Sequence, residues 1–361
     1  MDDDELRAAA ASLTDWYGTH ARPLPWRQEI TPYRVWISEI MLQQTRIEAV
    51  RPYFARFMRE IPDVRALAAV PDERLLKLWE GLGYYSRARN LKKAAIVLCR
   101  DYGGELPPDY DRLLTLPGIG PYTAGAIAAI AYGLPVPAVD GNVMRVLARL
   151  TGDGTDVLSE AGKKHFFSVA QTMLPPDMPG RFDQALMELG ETVCLPKGQP
   201  LCGECPLSAR CAARRDGRTE ELPVRAKKKP RRTEQRTVCV AIVCGEDGVR
   251  RVLLHRRAEK GLLAGLWELP NVLTDGDDSE TAARRALPPG ASVLRDGGEL
   301  PQARHIFTHI EWHMSARLLY LPPFSLPPGF RAATADEVRE RYPLPSAFRP
   351  YAALLPQILT D

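Results

Sequence analysis

The sequence predicts two domains of different class: an all-α part up to about Cys211 and a smaller mixed α/β part from about residue 237. Three observations carry this expectation. Strand-like alternation is scarce before Cys211, while helical periodicity recurs. A basic run, RAKKKPRRTEQR, holds seven basic residues and one acidic residue between Arg225 and Arg236. Beyond it, TVCVAIVC (237–244) and VRRVLLHRR (249–257) are rich in β-branched and apolar residues and flank GEDG, which is a hairpin signal. The chain has 361 residues, long for one core and comfortable for two.

Taken in order, the apolar spacing predicts helices over Asp3–His20, Pro32–Glu48, Ala49–Glu60, Asp72–Tyr84, Ser86–Asp101, Tyr122–Tyr132, Gly141–Thr151 and Arg181–Cys194. In the second part, residues 303–321 are strand-rich and Asp277–Leu287 reads as a helix. The basic run suits either contact with nucleic acid or a solvated linker. The richest apolar run, Ala124 to Val139, is broken by Pro135 and Pro137, so no membrane span is expected. The acidic start MDDDEL lacks the pattern of a secretion signal, so an intracellular (cytoplasmic) protein is expected.

Two stretches bear on chemistry. The helix around YRVWISEIMLQQT (33–45) is apolar nearly all round, yet it carries Glu39. Burial disfavours a carboxylate's charge, and a carboxyl kept neutral near pH 7 is what a general acid needs. A buried Glu paired with Arg46 is the competing reading. The turn LPGIG with Pro121 behind it is suited to a helix start. Gly118 and Gly120 there would let backbone amides approach a phosphate. An ordinary corner between helices is the alternative. Asp140, in VDGNV, is placed either to cap the helix that follows or to act as a second carboxylate beside Glu39.

Four of the seven cysteines, Cys194, Cys202, Cys205 and Cys211, are spaced Cys-x7-Cys-x2-Cys-x5-Cys. In a reducing compartment such clusters more often bind metal than form disulfides. Four thiolates suit an iron–sulfur cluster or tetrahedral zinc, and spacing alone does not choose between them.

These runs together resemble the helix-hairpin-helix DNA glycosylases that carry an iron–sulfur cluster, and within them the MutY family of adenine DNA glycosylases. The matching stretches are PWR (25–27), VWISEIMLQQT (35–45), GLGYYSRARNL (81–91), LPGIGPYTAGAI (116–127), VDGNVMRVLAR (139–149) and the cysteine cluster. The resemblance implies an all-α helix-hairpin-helix glycosylase domain with an iron–sulfur cluster loop over 1–221, a basic linker over 222–236 and a C-terminal α+β Nudix-like domain over 237–361. It implies removal of adenine mispaired with 8-oxoguanine or guanine in double-stranded DNA, with the base flipped out of the stack. Glu39 matches the general acid that protonates adenine N7, and Asp140 the carboxylate that stabilises the oxocarbenium-like sugar. Tyr122 and Asn142 match residues that orient this pair, Arg27 and Gln184 match the adenine pocket, and Gln44 and Tyr84 match side chains that wedge into the stack. The cysteines match ligands of a [4Fe–4S] cluster, although the first gap is one residue longer than the family's. Cluster binding would place Lys197 and Arg210 toward a DNA phosphate.

Two departures sharpen the expectation. Strand-cutting relatives such as endonuclease III carry a Lys where this chain has Tyr122, so no amine is available there for a Schiff base and no lyase step is expected. The segment 265–287 lacks the R-E-x2-E-E core of a Nudix hydrolase, so no pyrophosphatase activity is expected. The loop that the family uses against 8-oxoguanine is Phe-Ser-His; here it reads Phe307-Thr308-His309. Nothing in the sequence argues for an oligomer, and a monomer is expected.

Overall fold

The computed structural model describes residues 1–226, 230–274 and 276–360. It divides into two compact units, Met1–Val70 with Arg89–Lys227, and Pro71–Ala88 with Lys228–Asp361. The first is helical. The second adds a sheet to the inserted segment Pro71–Ala88. No helix among the described residues is long and apolar enough to cross a membrane.

The helical unit contains the expected helices Asp3–His20 and Gly141–Thr151 at the bounds their periodicity gives. Asp2 opens the former with a capping box to Glu5. The predicted helix Pro32–Glu48 instead stops at Leu42. Gln43 leaves helical geometry and Gln44 adopts a left-handed backbone (φ +58°), after which Ile47–Glu60 restarts. Periodicity alone reads through such a break, because apolar residues flank it on both sides. In the inserted segment, the predicted Asp72–Tyr84 ends at Leu78, where Gly81 and Gly83 take positive φ. Tyr122–Tyr132 is an α-helix over Pro121–Ala126 continued by a π-turn over Ile127–Ala131. Arg181–Cys194 is observed as Pro179–Thr192. Among the described residues of this unit, five helices escaped the sequence reading: Pro25–Gln28, Val64–Ala69, Tyr110–Leu114, Glu160–Met173 and Ala212–Arg215. Four are too short to show a period. The core joins Leu13, Val146, Leu147, Phe166, Phe182 and Leu186 from four helices.

The second unit holds a seven-stranded mixed sheet: β1 Arg232–Cys244, β2 Arg250–Arg256, β3 Trp267–Glu268, β4 Asn271–Leu273, β5 Arg295–Ile306, β6 Ile310–Leu321 and β7 Phe330–Ala333. The order is β3-β2-β1-β6-β5, with β4 on β1 and β7 on β2. β1 and β2 form the expected hairpin, but β1 also pairs in parallel with β6, from Arg232 opposite Ile310 to Val243 opposite Leu321. β1 therefore begins inside the basic run: Arg232–Arg236, read as linker from their charge, are strand. Lys227, Lys228 and Lys229 of that run lie outside the described residues. Residues 303–321 are strand as expected, divided into β5 and β6 by a tight turn at 307–309. The predicted helix 277–287 is Ser279–Arg285, and its Glu280 is engaged by Arg284 at 2.8 Å and Arg317 at 3.4 Å.

Candidate active site

In the helical unit, the helices Pro32–Leu42, Pro121–Ala126, Gly141–Thr151 and Pro179–Thr192 direct polar side chains into a cavity of about 560 Å³. Among its lining residues are Arg27, Glu39, Gln44, Tyr122, Asp140, Asn142 and Gln184. These come from positions up to 157 residues apart (184 minus 27), and the fold brings all seven together.

Glu39 is buried at 5% exposure. Its partner is the Tyr122 hydroxyl, which donates to Oε2, rather than the Arg46 guanidinium. Burial pushes its pKa up to about 7, with Asp140 adding to the rise while the Tyr122 bond and Arg27 oppose it. Glu39 thus carries a transferable proton near neutral pH.

Asp140 satisfies both readings of its position. Its Oδ1 accepts the amides of Asn142 (2.9 Å) and Val143 (2.8 Å) and caps Gly141–Thr151. Both bonds fall on one oxygen, so Oδ2 is not committed to the helix. Burial raises its pKa, and the two backbone bonds and Arg145 counter that rise. The side chain of Asn142 does not reach either carboxylate: it donates to Glu191 at 2.8 Å and accepts from Arg145 at 2.9 Å, and only its backbone touches Asp140.

Several residues in or beside the cavity were not read from the sequence. Glu188 is fully buried and bridges Arg22 (2.5 Å) and Arg27 (2.8 Å). Burial alone would raise its pKa, but the two guanidiniums outweigh it and hold it below the usual value. Tyr17 donates to Gln184 Oε1 at 3.1 Å and lies under the Arg27 guanidinium. A signal was present: Gln184, Glu188 and Glu191 recur at i, i+4 and i+7, a polar stripe along one face of the helix.

The Gly-rich turn precedes Pro121. Gly118 has φ +79°, and a Cβ there would lie 2.6 Å from Asn90 Cβ. Gly120 is extended, and a Cβ on it would meet nothing within 4 Å. Gly118 is therefore needed by the fold, while Gly120 borders open space.

The four cysteines line one small cavity at the far end of Gly141–Thr151, with no histidine or carboxylate among its walls. All four are free of disulfides. Arg149 donates to Cys194 Sγ at 3.3 Å and to the Leu195 carbonyl at 2.9 Å, and Arg145 donates to the Cys194 carbonyl at 2.9 Å. A guanidinium donating to sulfur suits thiolate ligands, so the donor set fits a sulfur-ligated cluster. Among the described residues, no three His, Cys, Asp or Glu form a ready site for a single ion. Lys197 and Arg210 are exposed on the same loop.

Four expected contact residues belong to the other unit. Tyr84 has a left-handed backbone (φ +46°) and is 45% exposed. Its hydroxyl lies 2.8 Å from Thr308 Oγ1. Phe307 packs edge-on to Trp312 at 4.8 Å between ring centroids, anchoring the turn, and leaves Thr308 and His309 exposed at its tip.

Comparison with known proteins agrees with this arrangement. Residues 37–166 match the model of the HhH-GPD superfamily base excision DNA repair proteins, and residues 239–354 match the NUDIX domain. The human adenine DNA glycosylase is 36% identical over 396 residues, covering 92% of this chain and 71% of that protein. A thermostable thymine-DNA glycosylase structure superposes with a TM-score of 0.55 at 28% identity, over 59% of this chain and 98% of that one. An endonuclease III–DNA complex superposes at 0.52 with 24% identity, over 60% and 98%, which bears on the fold alone. With a helix-hairpin-helix glycosylase unit, a Nudix-like unit and this degree of identity across nearly the whole chain, the chain belongs to the adenine DNA glycosylase family.

Proposed function

We propose that this base-excision enzyme hydrolyses the glycosidic bond of adenine paired with 8-oxoguanine or guanine, without cutting the strand. The observation that carries the reading is the pairing, in one cavity, of a buried acid near neutrality with a second carboxylate: Glu39, hydrogen-bonded by Tyr122, and Asp140. Glu39 donates its proton to N7 of the flipped base, which makes adenine a better leaving group. Asp140 stabilises the cationic sugar, and water completes the hydrolysis. Two carboxyl groups in different environments can divide the acid and stabiliser roles in this way. Tyr122 orients Glu39. Asn142 acts through its backbone amide and through Arg145 on the Asp140 helix. Arg27 and Gln184, held by Glu188 and Tyr17, face the adenine. Tyr122 offers no amine for a Schiff base, which supports a glycosylase without lyase activity.

Gln44 and Tyr84, both in left-handed backbone, are the wedge residues, where unstacking is offset by new contacts. The amides of the Gly118–Gly120 turn grip a phosphate. Thr308 and His309, presented on the Phe307 anchor, contact 8-oxoguanine. Cys194, Cys202, Cys205 and Cys211 would hold a [4Fe–4S] cluster, which supplies cross-links to the loop Leu195–Ala209 and carries no step of the excision. The implied partner is double-stranded DNA bearing the mispair.

The test is a panel of duplexes with adenine, thymine glycol or uracil opposite defined bases, scored with and without alkali. Adenine-dependent breaks only after alkali are expected. Strand breaks trapped efficiently by borohydride would overturn the hydrolytic reading. His309→Ala should reduce the preference for 8-oxoguanine:adenine over guanine:adenine, and an unchanged preference would remove the loop from the recognition site.

A further inference from the structure

Behind Glu39 and Asp140 lies a third carboxyl group that the chemistry above does not use. Asp183 is 0% exposed on the helix Pro179–Thr192. Its Oδ2 accepts the Ala138 amide at 3.0 Å, and its Oδ1 has no hydrogen-bond partner. No cationic side chain pairs with it among the described residues; the titratable groups that act on or feel it are Glu39 and the Tyr122 phenol. The peptide it holds is gripped from its other side as well. A Cβ on Gly125 would lie 2.5 Å from the Pro137 carbonyl oxygen, so that carbonyl sits directly over the helix that carries Tyr122. The carbonyl of Pro137 and the amide of Ala138 belong to one peptide group, and Asp140 follows two residues later.

We propose that Asp183 is a positioning residue that, together with Gly125, clamps the Pro137–Ala138 peptide and so sets where Asp140 stands relative to Glu39. The clamp ties three parts of the site together: the Tyr122 helix through Gly125, the Gln184 and Glu188 helix through Asp183, and the N-terminal end of the Asp140 helix through the peptide between them. Asp183 serves in its protonated form. An ionised carboxylate with one amide bond, no cation and no solvent would be among the costliest groups a protein can bury. Burial accordingly drives its pKa well up, the Ala138 bond counters only in part, and the charge of Glu39 adds to the rise. A neutral Asp183 also adds no negative charge beside the general acid. An asparagine would reproduce what the residue does, because it keeps the acceptor for Ala138 and is uncharged. The proposal rests on the assignment of Glu39 and Asp140 as the reacting pair.

The experiment uses the full-length protein under single-turnover conditions, with an 8-oxoguanine:adenine duplex, rates measured across pH and each variant's fold checked by melting. Asp183→Asn should keep the rate within about twofold of the wild type and leave the alkaline limb of the pH profile in place. Asp183→Ala and Gly125→Ala, assayed well below their melting temperatures, should lose about 10- to 100-fold in rate through a displaced Asp140. Asp183→Asn rescue beside those losses separates positioning from bulk stability. The proposal is overturned if Asp183→Asn is as inactive as Asp140→Asn. It is also overturned if its alkaline limb moves to lower pH, which would mean that a charge had been removed. Lower melting temperatures with unchanged rates in the alanine variants would reduce the clamp to a stability role. Should the alanine variants fail to fold, the Asp183→Asn profile alone decides. Glu39→Gln and Asp140→Asn run alongside: full activity in those two would defeat the site assignment itself, a result distinct from any failure of the clamp.

Discussion

Replacing Glu39 by Gln separates its chemical role from its structural one. The cavity raises this carboxyl from 4.5 to about 7, mainly by burial. At pH 7 about half of the molecules then hold the proton, whereas a carboxyl at its ordinary value would hold it in roughly one of 300. Gln preserves the acceptor for Tyr122 but supplies no proton. The single-turnover rate of adenine release should therefore fall by about 10²- to 10⁴-fold, the range of general acid catalysis. The wild-type rate should decline as pH rises through about 7, because the acid form is the one proposed to act. The stability of Glu39→Gln should move the opposite way from its activity. A carboxyl that holds its proton more tightly when folded contributes stability that is fully present below about 4.5, is lost as pH rises toward its folded value and is gone above about 7. A rise of this size corresponds to a penalty of about 3 kcal/mol at high pH. Glu39→Gln removes it, so at pH 8 the variant should melt at or above the wild-type temperature, with the advantage fading toward pH 4. A variant that keeps its rate within about tenfold of the wild type would refute the general-acid assignment. One that melts much lower at pH 8 would refute the account of its burial.

Two further substitutions probe the surroundings. The Tyr122 hydrogen bond lowers the Glu39 pKa, so Tyr122→Phe should shift the alkaline limb of the rate profile to higher pH; a shift to lower pH would contradict the assigned partner. The two turn glycines should behave differently: Gly118→Ala meets both a positive φ and the Asn90 side chain and should cost about 1–3 kcal/mol in denaturant unfolding. Gly120→Ala should change stability by less than about 0.5 kcal/mol while weakening duplex affinity, and unaltered binding by it would place the phosphate elsewhere.

The residues proposed to do the chemistry were largely legible in the chain because each breaks the local pattern around it. Glu39 interrupts an apolar helix, Asp140 stands at a helix start, and the glycines and cysteines mark backbone and sulfur chemistry by residue type alone. The division into helical and mixed parts was legible for the same reason, since the side-chain period changes from one to the other. Local pattern does not carry partnership. The sequence offered Arg46 as the partner of Glu39, yet the fold supplies Tyr122 from 83 residues away. The parallel pairing of β1 with β6 likewise draws Arg232–Arg236 into the sheet, overriding the charge that marks them as linker. Glu188 and Asp183, five residues apart on one helix, read alike as acidic residues in a chain, but packing gives them opposite protonation. Two guanidiniums surround the first and hold its pKa down, while the second has a single amide and no cationic partner among the described residues, so burial drives its pKa well up. Residue type and order determined which groups this chain could bring to a reaction. Their charge was decided only in the tertiary structure, because desolvation and ion pairing depend on neighbours that are distant in sequence.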